Sequence, residues 1–144
     1  MSNRVEDLDP LVQQKAKTFL ANIPIPYVVT STLRAVDEQI AYFSQGRGTL
    51  ELVNALRKRA GLSPIDASAN KGTITNCDGI IVLSNHQSGR ALDVVPMEKN
   101  GNPSWPDPKD PRWEMIAKPG EAAGFDWGGR WPSFPDFPHY EIKG

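Results

Sequence analysis

Two histidines, His86 and His139, are the only imidazoles in a chain of 144 residues, and each has an aspartate close by. Asp93 follows His86 by seven positions in a stretch that begins "SNHQSGRALD", and Asp136 precedes His139 by three in "DFPHYEI". Imidazole nitrogen and carboxylate oxygen are good zinc ligands, and three protein ligands plus one water make the open, four-coordinate arrangement of catalytic zinc. A His, Asp, His set meets that count. A histidine near an aspartate is by itself more often a hydrogen-bonded pair, and the His86 to Asp93 spacing alone is a weak pattern. The neighbourhood strengthens it, with Ser84 just before the histidine, Gly89 in a turn, a small residue at Ala91 and the second histidine near the C-terminus. A tight reversal after "IVLS" is expected to bring both ends of "HQSGRALD" to one point.

Such convergence needs a scaffold. Asp9 to Ile23 opens with an Asp-Pro pair suited to N-cap and first helical position, and Val12, Ala16, Phe19, Leu20 and Ile23 recur at helical spacing. Pro24 and Pro26 stop that helix, and "YVVTSTLR", Tyr27 to Arg34, reads as a strand. A second helix is expected from about Val36 to Gln45, with Val36, Ile40 and Phe43 on one face and Gly46 as terminator. A third runs from Thr49 as N-cap to Ala60, with Leu52, Val53 and Leu56 inward. "IIVLS" and "ALDVV" look like two buried strands, a long loop follows from Pro96 to Pro111, a short helix starts at Asp110-Pro111, and a last strand covers His139 to Ile142. Helices weighted toward the N-terminal half and strands toward the C-terminal half predict an α+β domain with a small, largely antiparallel sheet, helices packed on it and the zinc site on its C-terminal strands. Residues 1–144 fit one domain.

Composition excludes several classes of function. The formal net charge is −1, which gives no electrostatic footprint for nucleic acid or an anionic membrane. The one basic cluster, Arg57-Lys58-Arg59, falls where a helix should end and complements its dipole. A single cysteine, Cys77, can form neither an internal disulfide nor a multi-thiolate zinc site. The N-terminus "MSNRVEDLDPLVQQ" carries acids early and no apolar run, so neither a secretory signal nor a membrane span is expected. The expectation is a protein made in the cytoplasm, working as a monomer without stable membrane insertion, and reaching any outer compartment by another protein's help.

"SNHQSGRALDVVP" together with "WGGRWPSFPDFPHYE" resembles the zinc peptidases of bacterial cell-wall peptides, a group of D-alanyl-D-alanine carboxypeptidases and dipeptidases and of the L-alanyl-D-glutamate endopeptidases that bacteriophages use as endolysins. The group's S-x-H-x-x-G-x-A-x-D signature is matched at every fixed position by Ser84, His86, Gly89, Ala91 and Asp93. Its late motif, an acid three residues before a histidine, is matched by Asp136 and His139. "TLRAVDEQIAYFSQGR" resembles the group's strand-to-helix arginine segment, so the resemblance extends from about Thr30 onward. It implies that His86, Asp93 and His139 bind zinc, that Asp136 is the general base, that Arg34 binds substrate and that Ser84 helps hold the peptide. Ala35 departs from the pattern, standing where a serine commonly follows the arginine.

The chemistry agrees with these roles. Zinc acidifies its water and polarises the scissile carbonyl, while a nearby carboxylate takes the proton of the attacking water and hands it to the departing amine. Asp136 has that job available, in a non-helical loop fixed by Pro135 and Pro138. A guanidinium at Arg34 suits a substrate carboxylate, which peptidoglycan stems offer both at terminal D-Ala-D-Ala and at γ-linked D-glutamate. Trp127 and Trp131 could stack on sugar, although support of the site is the commoner use of such residues. The expected function is a zinc metallopeptidase cutting the L-alanyl-D-glutamate bond of stem peptides in the periplasm or cell wall, of phage endolysin type. An aspartate rather than a glutamate as late base, and the missing leader, favour that branch. The alternatives are a D-alanyl-D-alanine carboxypeptidase and a non-catalytic zinc-binding module on the same scaffold.

Overall fold

The computed structural model describes residues 2–75, 77, 86 and 88–142. Helix α1 covers Pro10–Ala21, with the Asp9 carboxylate accepting from the Leu11 N–H at 3.0 Å and Pro10 in the first turn, where its missing N–H costs nothing. Strand β1, Tyr27–Ser31, is followed by helices α2, Val36–Ser44, and α3, Leu50–Arg59. Thr49 caps α3 through its side-chain oxygen, which accepts from the Leu52 N–H, and Arg57, Lys58 and Arg59 occupy its last turn as the dipole argument requires. Strand β2, Ala91–Pro96, leads through a loop to helix α4, Pro111–Ala122, capped by Asp110. Two short strands close the chain, β3, Asp126–Trp127, and β4, His139–Glu141.

Among the described residues, the four strands form one sheet in the order β1-β2-β4-β3, with each of these pairings antiparallel. The domain is therefore α+β, as the sequence predicts. Leu92 pairs with Tyr140, and Trp127 pairs with Tyr140 from the other side. Their side chains share a face because residues paired across strands point the same way. That face meets α1 and α4: the Phe19 ring lies 4.7 Å from the Tyr140 ring, and Phe19, Leu92, Val94, Ile116, Ala117 and Tyr140 are all fully buried. Since strand side chains alternate, Asp93, His139 and Glu141 point to the opposite face. The register places Asp93 opposite both Ser31 and His139.

Several expectations change. The first strand stops at Ser31 instead of Arg34, after an irregularity between Val29 and Ser31. Beyond it the backbone turns to other partners, with the Thr32 N–H donating to Ser2 O and the Arg34 N–H to His86 O. Leu52, expected inward, is 52% exposed while Val53 is fully buried, because α3 packs chiefly on α2 and the buried stripe is narrower than three adjacent apolar positions suggest. On α2 the fully buried positions include Gln39 and Ala41, with Ile40 and Phe43 only half-buried. The helix begun by Pro111 runs 12 residues with Pro119 inside it. The expected strand "IIVLS" lies outside the described residues. Among the described residues no helix is long and apolar enough to cross a membrane.

Candidate metal centre

The pairing of β2 with β4 brings Asp93 and His139 together from positions far apart in the chain. His86 arrives from a turn closed by Gly89, whose φ is +73°, a conformation that costs glycine little. A side chain there would also meet the backbone of Asp9, whose N–H donates to Gly89 O at 3.1 Å. The turn is thus docked on the start of α1.

Asp93 Oδ1 lies 3.2 Å from His86 Nε2 and 3.4 Å from His139 Nδ1, and one ligand atom from each of the three residues lies within 4.8 Å of the others. The other nitrogen of each ring is already engaged. His86 Nδ1 is 2.9 Å from Thr32 O, and since a carbonyl only accepts, Nδ1 carries the hydrogen and Nε2 keeps its lone pair for the cluster. His139 Nε2 is 2.7 Å from Glu141 Oε1, which leaves Nδ1 facing Asp93. A second hydrogen bond that fixes ring orientation and tautomer is a regular companion of metal-binding histidine.

The donor set fits zinc. Tetrahedral zinc with bonds of about 2.0–2.1 Å separates neighbouring ligand atoms by roughly 3.3 Å, and the two Asp93 to histidine distances lie on either side of that value. Both histidines are buried. Burial pushes the Asp93 carboxyl upward, but hydrogen bonds with His139 and His86 and their charges outweigh it and hold the group well below the usual carboxylate range. Burial pushes His139 down, yet the hydrogen bonds to Asp93 and Glu141 dominate and raise it to about 9.

Asp136 sits on the loop between β3 and β4. Burial, then the charge of Asp93, raises its carboxyl pKa, while His139, His86 and Arg34 pull the other way. All four groups therefore bear electrostatically on one carboxylate. The Asp136 N–H donates to Gly128 O at 2.9 Å and the His139 N–H to Asp136 O at 3.2 Å. Gly128 permits this docking: a Cβ there would collide with Asp136 O and lie 3.2 Å from His139 Cβ. The "WGG" segment thus owes its glycine to close backbone approach. Trp127 donates through Nε1 to Phe137 O at 2.6 Å, and the Trp131 ring lies 5.3 Å from that of His139, so both tryptophans buttress the loop and the histidine.

The structure brings Arg34 to the same region. Its backbone is tied to His86, and its guanidinium carbon lies 4.8 Å above the centre of the Tyr42 ring. Ser84 lies outside the described residues. Glu141 joins the cluster without belonging to either motif, although an acid two positions after a histidine in a strand must share its face.

The profile of a family described as D-alanyl-D-alanine carboxypeptidase matches residues 80–142. Over 146 aligned positions the chain is 30% identical to the peptidoglycan L-alanyl-D-glutamate endopeptidase CwlK of Bacillus subtilis (strain 168), covering 94% of this chain and 74% of that protein. The chain belongs to this family of peptidoglycan peptidases. Its fold also matches the crystal structure of the Serratia marcescens L-Ala D-Glu endopeptidase ChiX, with a TM-score of 0.57, 22% identity, and coverage of 96% of this chain and 83% of that one. Among the described residues of this peptidase, His86, Asp93 and His139 form a cluster that could hold a metal.

Proposed function

We propose that this peptidase hydrolyses the L-alanyl-D-glutamate bond of peptidoglycan stem peptides as a zinc enzyme of the endolysin type. The observation that carries this reading is the convergence of two imidazoles and one carboxylate, with Asp93 Oδ1 3.2 Å from His86 Nε2 and 3.4 Å from His139 Nδ1, beside an Asp136 carboxyl whose pKa burial and the charge of Asp93 raise. The L-alanyl-D-glutamate endopeptidase activity for which the Bacillus relative is named supports the choice of bond. Aspartate rather than glutamate at position 136 supports the endolysin branch, by resemblance.

His86 through Nε2, Asp93 through a carboxylate oxygen and His139 through Nδ1 would hold the ion. When bound, zinc supplies Lewis acidity and makes water a competent nucleophile at neutral pH. Asp136 accepts the proton of the attacking water and returns it to the leaving amine of D-glutamate. Burial shifts its pKa upward, the direction that brings a carboxylate base closer to the operating pH, where proton transfer both ways is most efficient. Arg34 receives the α-carboxylate beside the scissile bond, and Ser84 helps hold the peptide. The site of action is the periplasm or cell wall, with the chain acting as a monomer.

Incubation of the zinc-loaded protein with defined muropeptides, followed by mass spectrometry, tests the reading. A new amino terminus on D-glutamate is the expected product. Free D-alanine alone would move the assignment to the carboxypeptidase branch, and no product at all would leave a zinc-binding module.

A further inference from the structure

The side chain of Gln39 is fully buried on α2, where a polar amide has to find partners for both its ends. It finds them on opposite sides. Its Nε2 donates to Cys77 O at 2.6 Å and to Thr75 Oγ1 at 3.1 Å, and its Oε1 accepts from Arg34 Nη1 at 2.8 Å. The two donated bonds fix which way the amide points, so the oxygen presented to Arg34 is not free to rotate away.

A guanidinium can meet a carboxylate through its end, Nη1 with Nη2, or through its side, Nε with Nη2. Gln39 occupies Nη1. Arg34 Nε is buried and has no hydrogen-bond partner among the described residues, a costly arrangement for a charged donor unless a ligand supplies the acceptor. The Tyr42 ring under the guanidinium fixes its plane, and the backbone bond from Arg34 N–H to His86 O fixes its root beside a metal ligand.

We propose that Gln39 is a positioning residue that turns the Nε–Nη2 edge of Arg34 toward the substrate carboxylate. The inference rests on the reading of Arg34 as the carboxylate-binding group and adds the device that sets its specificity. A stem peptide with a free α-carboxylate on D-glutamate satisfies both donors of that edge. A stem amidated there, carrying D-isoglutamine, offers one acceptor and one donor, and is the poorer substrate.

The test is a double-mutant cycle in kcat/KM with Gln39→Met, Arg34→Ala and the double variant, each on the free and the amidated stem. Met fills the same volume without polar atoms. Gln39→Met is expected to lose about 10- to 100-fold on the free stem, much less on the amidated stem, and nothing further when Arg34 is already alanine. Equal losses on both stems, multiplicative losses in the double variant, or no loss at all would each overturn the proposal. Zinc content and thermal unfolding of Gln39→Met, measured beside the wild type, guard against misfolding: the variant is expected to stay folded with a full equivalent of zinc, and activity lost only in proportion to lost fold or lost zinc counts against a positioning role. If the wild type releases D-alanine instead of cutting before D-glutamate, the bond assignment fails but the cycle, run on terminal free and amidated D-alanine, still decides the role of Gln39.

Discussion

Replacing Glu141 by glutamine should weaken zinc binding without touching a metal ligand. The Glu141 carboxylate and the His139 Nε2 are 2.7 Å apart, and both side chains are about nine-tenths buried, so solvent screens the contact little. A hydrogen bond to a charged group contributes about 1.5–3 kcal/mol, and charge-assisted bonds are roughly twice as strong as neutral ones. Glutamine keeps an acceptor oxygen and the side-chain volume but gives up the charge, so about half of that contribution is lost, on the order of 1 kcal/mol or a little more, which is about a tenfold rise in the zinc Kd. Alanine removes the whole contact and should approach about 100-fold, the upper range for outer partners of metal ligands. Competition against a chromophoric chelator reads both values. Because the same contact helps hold His139 at about 9, the titration is repeated above and below that pH, which separates lost proton competition from lost metal affinity. An unchanged zinc Kd in a folded Glu141→Ala variant would refute the assignment of His139 Nδ1 as ligand and Nε2 as the oriented donor.

Asp136→Asn should keep its zinc, by elemental analysis, while kcat falls about 10²- to 10⁴-fold, the usual contribution of a general base; full activity would remove Asp136 from that role. His86→Ala should instead lose the metal, and stoichiometric zinc in the purified variant would contradict the ligand set. Since the base must be ionised and burial, the largest influence on Asp136, raises its pKa, kcat/KM should fall as the pH drops through a value higher than that of an ordinary exposed aspartate, and that acid limb should vanish in Asp136→Asn. Gly128→Ala places a Cβ against Asp136 O and near His139 Cβ; displacing the base by even about 1 Å can cost roughly 10²-fold in rate, so a wild-type kcat in this variant would show that the loop is not held as described.

Much of the candidate site was readable in the chain because the residues that converge there are rare types at fixed spacing. Two histidines leave little choice of imidazole ligands, and the turn glycine between His86 and Asp93 announces the reversal that joins them. Helices α1, α3 and α4 were legible at their starts, where Asp9, Thr49 and Asp110 cap the first turn through their side chains, since capping is a local interaction. The length of α4 was not. Pro119 reads as a break, but Trp113, Ile116 and Ala117 are buried in the core, and that tertiary gain outweighs one lost backbone bond. A strand as short as β3 has no period to detect; only its pairing with β4 defines it. The roles of Glu141, Thr32 and Gln39 depend on which ring nitrogen or guanidinium edge is already occupied, a relation between atoms on different elements that spacing along one chain does not encode.

The cross-strand match of Asp93 with His139 makes catalytic competence a checksum on sheet alignment. Sliding β4 past β2 by one position would swing Tyr140 out of the hydrophobic interior and His139 into it, because alternate residues exchange sides. A misaligned molecule would forfeit its candidate metal cluster and its oily centre together, so an error of strand pairing cannot leave the one standing without the other.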